Sequence, residues 1–466
     1  MGRQALKIPG PLGQRVRGRW RVALRRLLLP AGRVLADVVP RLADVAVATV
    51  LLVALAPLIV VRGIASVRQS GRLFEIDERI GRFRARIHRL RFAGRGPLRG
   101  LALWLSVLKG DLAIAGPRPL SPAEAAAVPV ADAVRFTVRP GLVSPFGVRR
   151  RVGIAYQAET RLDREFVYRQ SLKGDLGLAA RSVLTGVLGA GGGAREMPAV
   201  LNFFGIPILN TSMAEAVDWL IAAGAPGEPG RQLAFVNPDC LNIAWGNADY
   251  RAALLAAARV LPDGIGLHIG CRLQGLALRE NVNGTDLFPL LCAAAAERGR
   301  SLFLLGARPG IAAAAAGNMR QRWPRLCIAG TRDGYFDAAD EPAVIEQVNA
   351  SGADILLVAL GAPRQDVWLH RHRDALAPAV RMGVGGLFDF YSGRLPRAPV
   401  WMREIGLEWS FRLMQEPGRM WRRYVIGNPL FLYRVWRQSL SPERFALPVG
   451  VLPATAADAG VVETDR

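Results

Sequence analysis

Ile355-Leu356-Leu357-Val358-Ala359-Leu360 runs straight into Gly361-Ala362-Pro363-Arg364-Gln365. A short, wholly apolar run cut off by glycine and proline has the length of a strand covered on both faces. Working outward, Leu233 to Val236, Leu302 to Leu305, Cys327 to Ala329 and Val380 to Val384 repeat the pattern, with helix-length stretches between them. That alternation predicts an α/β fold, a parallel sheet covered by helices. Most of the runs end in a glycine-bearing loop, and in open α/β sheets ligands bind at that carboxyl edge. Ser212 with Glu215 predicts a capping box opening the first helix of this region, and Pro342 is placed where a helix start tolerates proline.

Leu261-Pro262-Asp263-Gly264-Ile265-Gly266 puts one carboxylate on a glycine-flanked bend after an apolar step. Alone, Pro-Asp-Gly is ordinary turn chemistry. A dinucleotide fingerprint is missing, because Gly383-Val384-Gly385 is followed by Phe388 where a third glycine is required. Gly306 and Gly310 instead form a loop whose amides suit a nucleotide diphosphate, with a plain strand-to-helix turn as the alternative.

The formal charge is +23 over 466 residues, mostly through arginine, which favours an anionic partner: nucleic acid, an acidic membrane face or a phosphorylated substrate. Nucleic acid is the weakest of these, since no zinc-finger, helix-turn-helix or ribonucleoprotein pattern is present. Cys240, Cys271, Cys292 and Cys327 are widely spaced, which points to unpaired thiols in a reducing compartment. His370 and His372 lie two apart and do not share a helical face, so a polar surface is expected there rather than a metal pair.

An apolar run from Val45 to Val61, interrupted by Pro57, only reaches the lower limit of a membrane-spanning helix. Basic residues flank it on both sides, which suits a re-entrant element with both ends on the cytoplasmic face; a kinked span and a buried core helix stay open. Leu188-Gly189-Ala190-Gly191-Gly192-Gly193-Ala194 reads as a hinge, and the stretch from about Pro448 to Arg466 as a disordered tail.

Taken in order, the Asp263 turn, Asn283-Gly284-Thr285-Asp286-Leu287, Leu304 to Gly310, Gly330 to Phe336, Gly361 to Gln365, Gly383 to Asp389 and the Trp/Arg-rich stretch from Trp401 to Trp436 resemble the WecB/TagA/CpsF glycosyltransferases over roughly residues 200 to 435. The resemblance implies a Rossmann-like sheet and an inverting sugar transfer from a nucleotide-sugar donor, UDP-linked, to a polyprenyl-diphosphate-linked saccharide. It implies Asp263 as the catalytic base and Asn237 and Gln365 beside the substrate. Arg364, Thr285, Asp286, Gly306, Gly310 and Asp389 are further substrate-binding candidates on the same blocks. Arg412, Arg419 and Arg422 fall on the family's diphosphate-binding, membrane-proximal positions, and spacings of seven and three put them on one face if the helix continues through Pro417. Two departures are Phe235, where the family often has threonine, and Asn281, where it often has arginine. No Asp-x-Asp pair sits in this region, so transfer without metal or other cofactor is expected, with arginine neutralising the diphosphate.

Residues 41 to 188 resemble the bacterial sugar transferases that load sugar-1-phosphate onto polyprenyl phosphate. The resemblance rests on Glu78-Arg79-Ile80-Gly81, Leu108 to Leu112, Gly116-Pro117-Arg118-Pro119-Leu120 and Val138 to Leu142. Arg99 and Gly100 stand where that family has its nucleophilic aspartate and metal-holding glutamate, and neither can do that work. A degenerate, mainly helical, membrane-associated domain is expected, with Arg118 and Arg139 as anion-binding candidates and Asp111 and Glu124 as nearby acids that a displaced site would need.

The expected organisation is a basic leader (1–40), the sugar-transferase-like domain (41–188), a linker (189–199), the glycosyltransferase core (200–400), a Trp/Arg-rich appendage (401–440) and a tail (441–466). The expected location is the cytoplasmic face of the inner membrane, anchored by residues 44–62, with self-association left open. Two rivals stand beside glycosyl transfer: a bifunctional enzyme that also transfers sugar-1-phosphate, and a non-enzymatic membrane scaffold.

Overall fold

The computed structural model describes residues 37–189, 196–222 and 230–447. Residues 1–36 of the basic leader, the glycine run 190–195 and the tail beyond 447 therefore lie outside the described residues. The chain divides into two compact units. The first comprises residues up to Gly147 plus Ala158–Ala180; the second comprises Val148–Gln157 and Arg181 onward. A ten-residue piece from within the amino-terminal half is thus counted with the carboxyl-terminal unit.

In the first unit no single described helix is long and apolar enough to cross a membrane, but Asp37–Ala54 and Ala56–Ser70 form a pair bent by 72°. The bend falls just before Pro57, whose ring clashes with the preceding helical turn and whose nitrogen cannot donate. Val50, Val53, Leu58, Val60, Val61 and Ile64 stand exposed along this pair. An antiparallel hairpin, Phe74–Ile80 with Arg86–Phe92, and several short helices complete the unit.

The second unit is built on six parallel strands: β1 (Arg231–Val236), β2 (Arg259–Pro262), β3 (Ser301–Gly306), β4 (Cys327–Arg332), β5 (Ile355–Ala359) and β6 (Val380–Gly383). Their order across the sheet is β4-β3-β5-β6-β1-β2. Five of the six lie on the runs predicted from sequence. β2, the strand that carries Asp263 at its end, was not among them, because Arg259 and Pro262 leave only Val260-Leu261 to read as an apolar run.

Alternate residues feed opposite faces. Leu302 and Leu304 of β3 and Ile355 and Leu357 of β5 pack into one helix-covered core; Phe303, Leu305, Leu356 and Val358 pack into another. With both faces covered, the strands read as continuous apolar runs. The capping box is present: Glu215 N donates to Ser212 Oγ at 3.2 Å and Ser212 N to Glu215 Oε2 at 3.1 Å. Pro342 lies in the first turn of Glu341–Ala350.

The carboxyl-terminal helix Gly427–Leu440 returns to the core. Phe431 is fully buried against Phe203 and Phe204 of the hairpin Val200–Phe203/Ile206–Leu209. Gln438 closes the contact, donating to Asn202 O at 3.0 Å and accepting from Phe204 N at 3.0 Å. This docking brings the stretch before it to the sheet's carboxyl edge.

Candidate active site

Asn237 follows β1 and caps the helix Pro238–Gly246, its side-chain oxygen accepting from Asp239 N and Cys240 N, both at 3.1 Å. An Asn cap followed by proline at the first helical position is a strong local start signal. With the oxygen so used, the side-chain NH2 serves the neighbouring strand end, where Asn237 bonds the Asp263 carboxylate. Asp263 follows β2, its N–H held by Val236 O at 2.8 Å. The next residue, Gly264, has φ +96°, a conformation that glycine adopts without strain.

Asp263, Asn237, Thr285 and Asp286 line one pocket with Asn281, Asn283, Arg403, Glu408, Trp409, Arg412, Arg423 and Tyr424. Val152 and Ile154 form part of the same wall. Burial pushes the Asp263 carboxyl above its ordinary value, against the pull of Arg423, the Asn237 bond and Arg412. Such a carboxylate is a better proton acceptor than a solvated one and sits beside guanidiniums suited to an anion. Arg423 is held by Asp239 at 3.4 Å, and the Arg412 guanidinium lies over the Phe390 ring.

Asp286 is occupied by basic neighbours. Burial alone would raise it, but Arg397 at 2.6 Å, the Asn283 bond and Arg403 hold it below the usual carboxylate range. Asp286 thus stays ionised and fixes the loop Asn283–Thr285, whose Thr285 carbonyl accepts from Tyr391 Oη at 2.6 Å.

The remaining sequence candidates fall elsewhere. Gln365 is buried, and its side-chain oxygen accepts from Gly361 N at 3.1 Å and Gly385 N at 2.9 Å, so it fastens two loops together and does not line the pocket. Arg364 reaches Phe336 O at 3.1 Å, and Asp389 pairs with Arg394 at 2.7 Å. Gly306 and Gly310 flank the turn after β3, outside the pocket lining; a Cβ at Gly306 would come within 2.5 Å of Ala359 O, which explains that glycine by packing.

The single helical face expected for Arg412, Arg419 and Arg422 does not form. Glu416 is non-helical at φ −133°, ψ 63°, because the residue before Pro417 is pushed out of the helical region. A π-turn over Arg422–Ile426 then shifts the register. As a result Arg412 and Arg423 reach the pocket, whereas Arg419 is largely exposed beside Glu416 and Arg422 stacks on Trp421. Arg403 and Glu408 are not singled out by the sequence, and Arg423 and Tyr424 stand out there only as members of the Trp/Arg-rich stretch, with no role in the site assigned to them.

In the first unit Arg99 pairs with Glu75 and donates to Phe92 O at 3.0 Å, within a short 3-10 turn that includes Gly100. Asp111 pairs with Lys109 at 3.0 Å, and Glu124 is taken up by the Ser121 cap and Arg118. Arg118 is bound by Glu124 and Glu159, both at 2.9 Å, which leaves it poorly placed for a phosphate. Arg139 lines a small polar pocket with Arg41, Arg82, Asp37, Asp44 and Asp175.

A desolvated carboxylate at a parallel sheet's carboxyl edge, in one pocket with half-buried arginines, suits a transferase that activates a hydroxyl beside an anionic leaving group, and the chain is a glycosyltransferase. Residues 201–445 match the glycosyl transferase WecG/TagA/CpsF family, more than half of the chain, and the chain belongs to that family. Residues 98–189 match the bacterial sugar transferase family. An N-acetylglucosaminyldiphosphoundecaprenol N-acetyl-beta-D-mannosaminyltransferase of Bacillus subtilis is 32% identical over 240 residues, covering 52% of this chain and 92% of that protein. The enzyme of the same name from Bacillus spizizenii is 36% identical over 196 residues, covering 42% and 75% respectively.

Proposed function

We propose that the chain transfers a sugar, with inversion, from a UDP-sugar to a hydroxyl of a polyprenyl-diphosphate-linked saccharide during assembly of a surface or exopolysaccharide. The observation that carries this reading is the desolvated Asp263 carboxylate sharing one pocket with Arg412 and Arg423. Asp263 takes the acceptor hydroxyl proton as the oxygen attacks the anomeric carbon. The bond to the UDP oxygen breaks, and the arginines hold the departing diphosphate. Asn237 orients the base. This scheme needs no metal, because guanidinium groups supply the countercharge.

The relatives' names make UDP-N-acetylmannosamine and N-acetylglucosaminyl-diphospholipid the first pair to test. Phe235 is packed in the core beside Gly284 and bears on loop shape, whereas Asn281 lines the pocket while its side-chain oxygen accepts from Gly264 N.

Membrane association is proposed for the bent helix pair, supported by its exposed valines and leucines. Trp401, Trp421, Tyr433 and Trp436, all exposed on the second unit, suit a headgroup layer. Sugar-1-phosphate transfer by the first unit is not proposed, since Arg99 and Gly100 hold a structural turn and the nearby acids are paired. The test is to incubate the purified full-length protein with a panel of UDP-sugars and short-chain diphospholipid acceptors and weigh the lipid product. A mass gain of one sugar with release of UDP supports the reading; no gain with any pair refutes it.

A further inference from the structure

The wall formed by Val152 and Ile154 comes from Val148–Gln157, a strap inside the stretch that matches the bacterial sugar transferase family and outside the stretch that matches the glycosyltransferase family. We propose that this strap is a working part of the glycosyltransferase site: Val152 and Ile154 form its acceptor-side wall, and Tyr156 is a positioning residue for the Asp263 turn. The proposal rests on the glycosyl transfer set out above.

The strap is tied to the site at both ends. At one end Arg149 Nε meets Glu404 Oε1 at 2.9 Å while Arg181 takes the other oxygen at 3.2 Å, so a buried carboxylate next to the pocket residue Arg403 is clamped from two sides. At the other end Gly153 O accepts from Asn281 N at 2.7 Å. The Tyr156 hydroxyl donates to Asn281 O and accepts from Asn283 Nδ2 at 3.1 Å. Gly153 has φ +72°, and a Cβ there would stand 3.0 Å from Asn281 N, so the close approach requires glycine.

Asn281 passes this fastening to the reacting centre. Its side-chain oxygen accepts from Gly264 N at 2.6 Å, the amide directly after the proposed base. Asn283 in turn holds Asp286, through Asp286 N at 2.8 Å and Asp286 Oδ2 at 2.9 Å. An arginine at position 281, common in the family, could not accept that N–H, since guanidinium carries donors only. The site's cations come from the Arg403–Tyr424 segment, and the strap holds both that segment, through Glu404, and the loop behind the Asp263–Gly264 bend. Val152 and Ile154 are apolar and offer nothing to the UDP diphosphate, so they are assigned to the acceptor saccharide. The sugar-transferase-like half of the chain thus supplies a wall that a glycosyltransferase unit cut at residue 196 would lack.

The experiment uses the full chain with Tyr156→Phe and Ile154→Ala, with initial rates against both substrates and hydrogen exchange of the peptide 261–268. Tyr156→Phe keeps the ring but frees Asn281 O and Asn283. It is expected to lower kcat by about 10- to 100-fold, the scale of an ångström-level misplacement, with donor KM within about twofold. Exchange at the Gly264 amide should quicken. Ile154→Ala is expected to raise the acceptor KM about tenfold, the scale of lost apolar contact in a specificity pocket, leaving donor KM unchanged. It reports independently should the tyrosine variant fail to fold. Unchanged kcat, acceptor KM and exchange in both variants would overturn the proposal. If the wild-type protein makes no product with any pair, the transferase reading fails, and exchange alone decides the strap: faster at Gly264 supports it, unaltered overturns it.

Discussion

Replacing Asp263 by asparagine removes the proton acceptor while preserving shape. The carboxylate is desolvated, bonded by Asn237 and shares its pocket with Arg423 and Arg412, with Glu408 as a like-charged neighbour. A positioned general base contributes about 10²- to 10⁴-fold, so kcat should fall by that factor, or about 3–5 kcal/mol at 1.36 kcal/mol per tenfold. Donor affinity should hold or tighten, because the change takes one negative charge from a pocket that binds a diphosphate. Folding should not suffer, since a buried carboxylate is costlier to desolvate than an amide.

The pH profile reports on the same carboxyl. Burial holds the Asp263 pKa above 3.8, and only the ionised form accepts a proton. Wild-type kcat/KM should therefore decline as pH falls through that raised value, and this limb should disappear in Asp263→Asn. The assay is product mass against time from pH 4.5 to 8.5, with UDP binding by calorimetry. A variant that keeps kcat within tenfold of wild type, or an unaltered acid limb, would remove Asp263 from the role of base.

Arg423→Ala should weaken UDP binding by about 10- to 100-fold, the scale of a charge-assisted hydrogen bond, whereas Arg419→Ala, exposed and outside the pocket lining, should leave it within about twofold; equal effects of the two would contradict the π-turn register. Burial lifts Asp366 from 3.8 to about 7, so the folded state holds a proton there that the unfolded state has lost, and stability should fall as pH rises from about 4 to 7. That lift corresponds to about 4 kcal/mol at 1.36 kcal/mol per pKa step. Asp366→Asn should flatten most of this decline in urea titrations, and an unchanged pH slope would refute it. Val60→Gln with Val61→Gln, on exposed faces of the bent helix pair, should cut co-flotation with anionic liposomes about tenfold or more by losing two apolar side chains from the bilayer, without changing the helical circular dichroism; undiminished flotation would remove this segment from membrane binding.

Sequence alone determined most of the sheet and the turn that carries Asp263. Runs such as Ile355–Ala359 are apolar because both faces are covered, and Asn237-Pro238 and Pro262-Asp263-Gly264 are local signals that need no distant partner. Tertiary structure decided which cations reach the pocket, since the break at Glu416 and the π-turn that follows replace one helical face with another, presenting Arg423 in place of Arg422. It also gave Gln365 the task of fastening Gly361 to Gly385. The strap could not be seen beforehand: Tyr156 and Asn281 lie 125 residues apart, and no periodicity or turn rule links two segments whose contact exists only once the chain has folded.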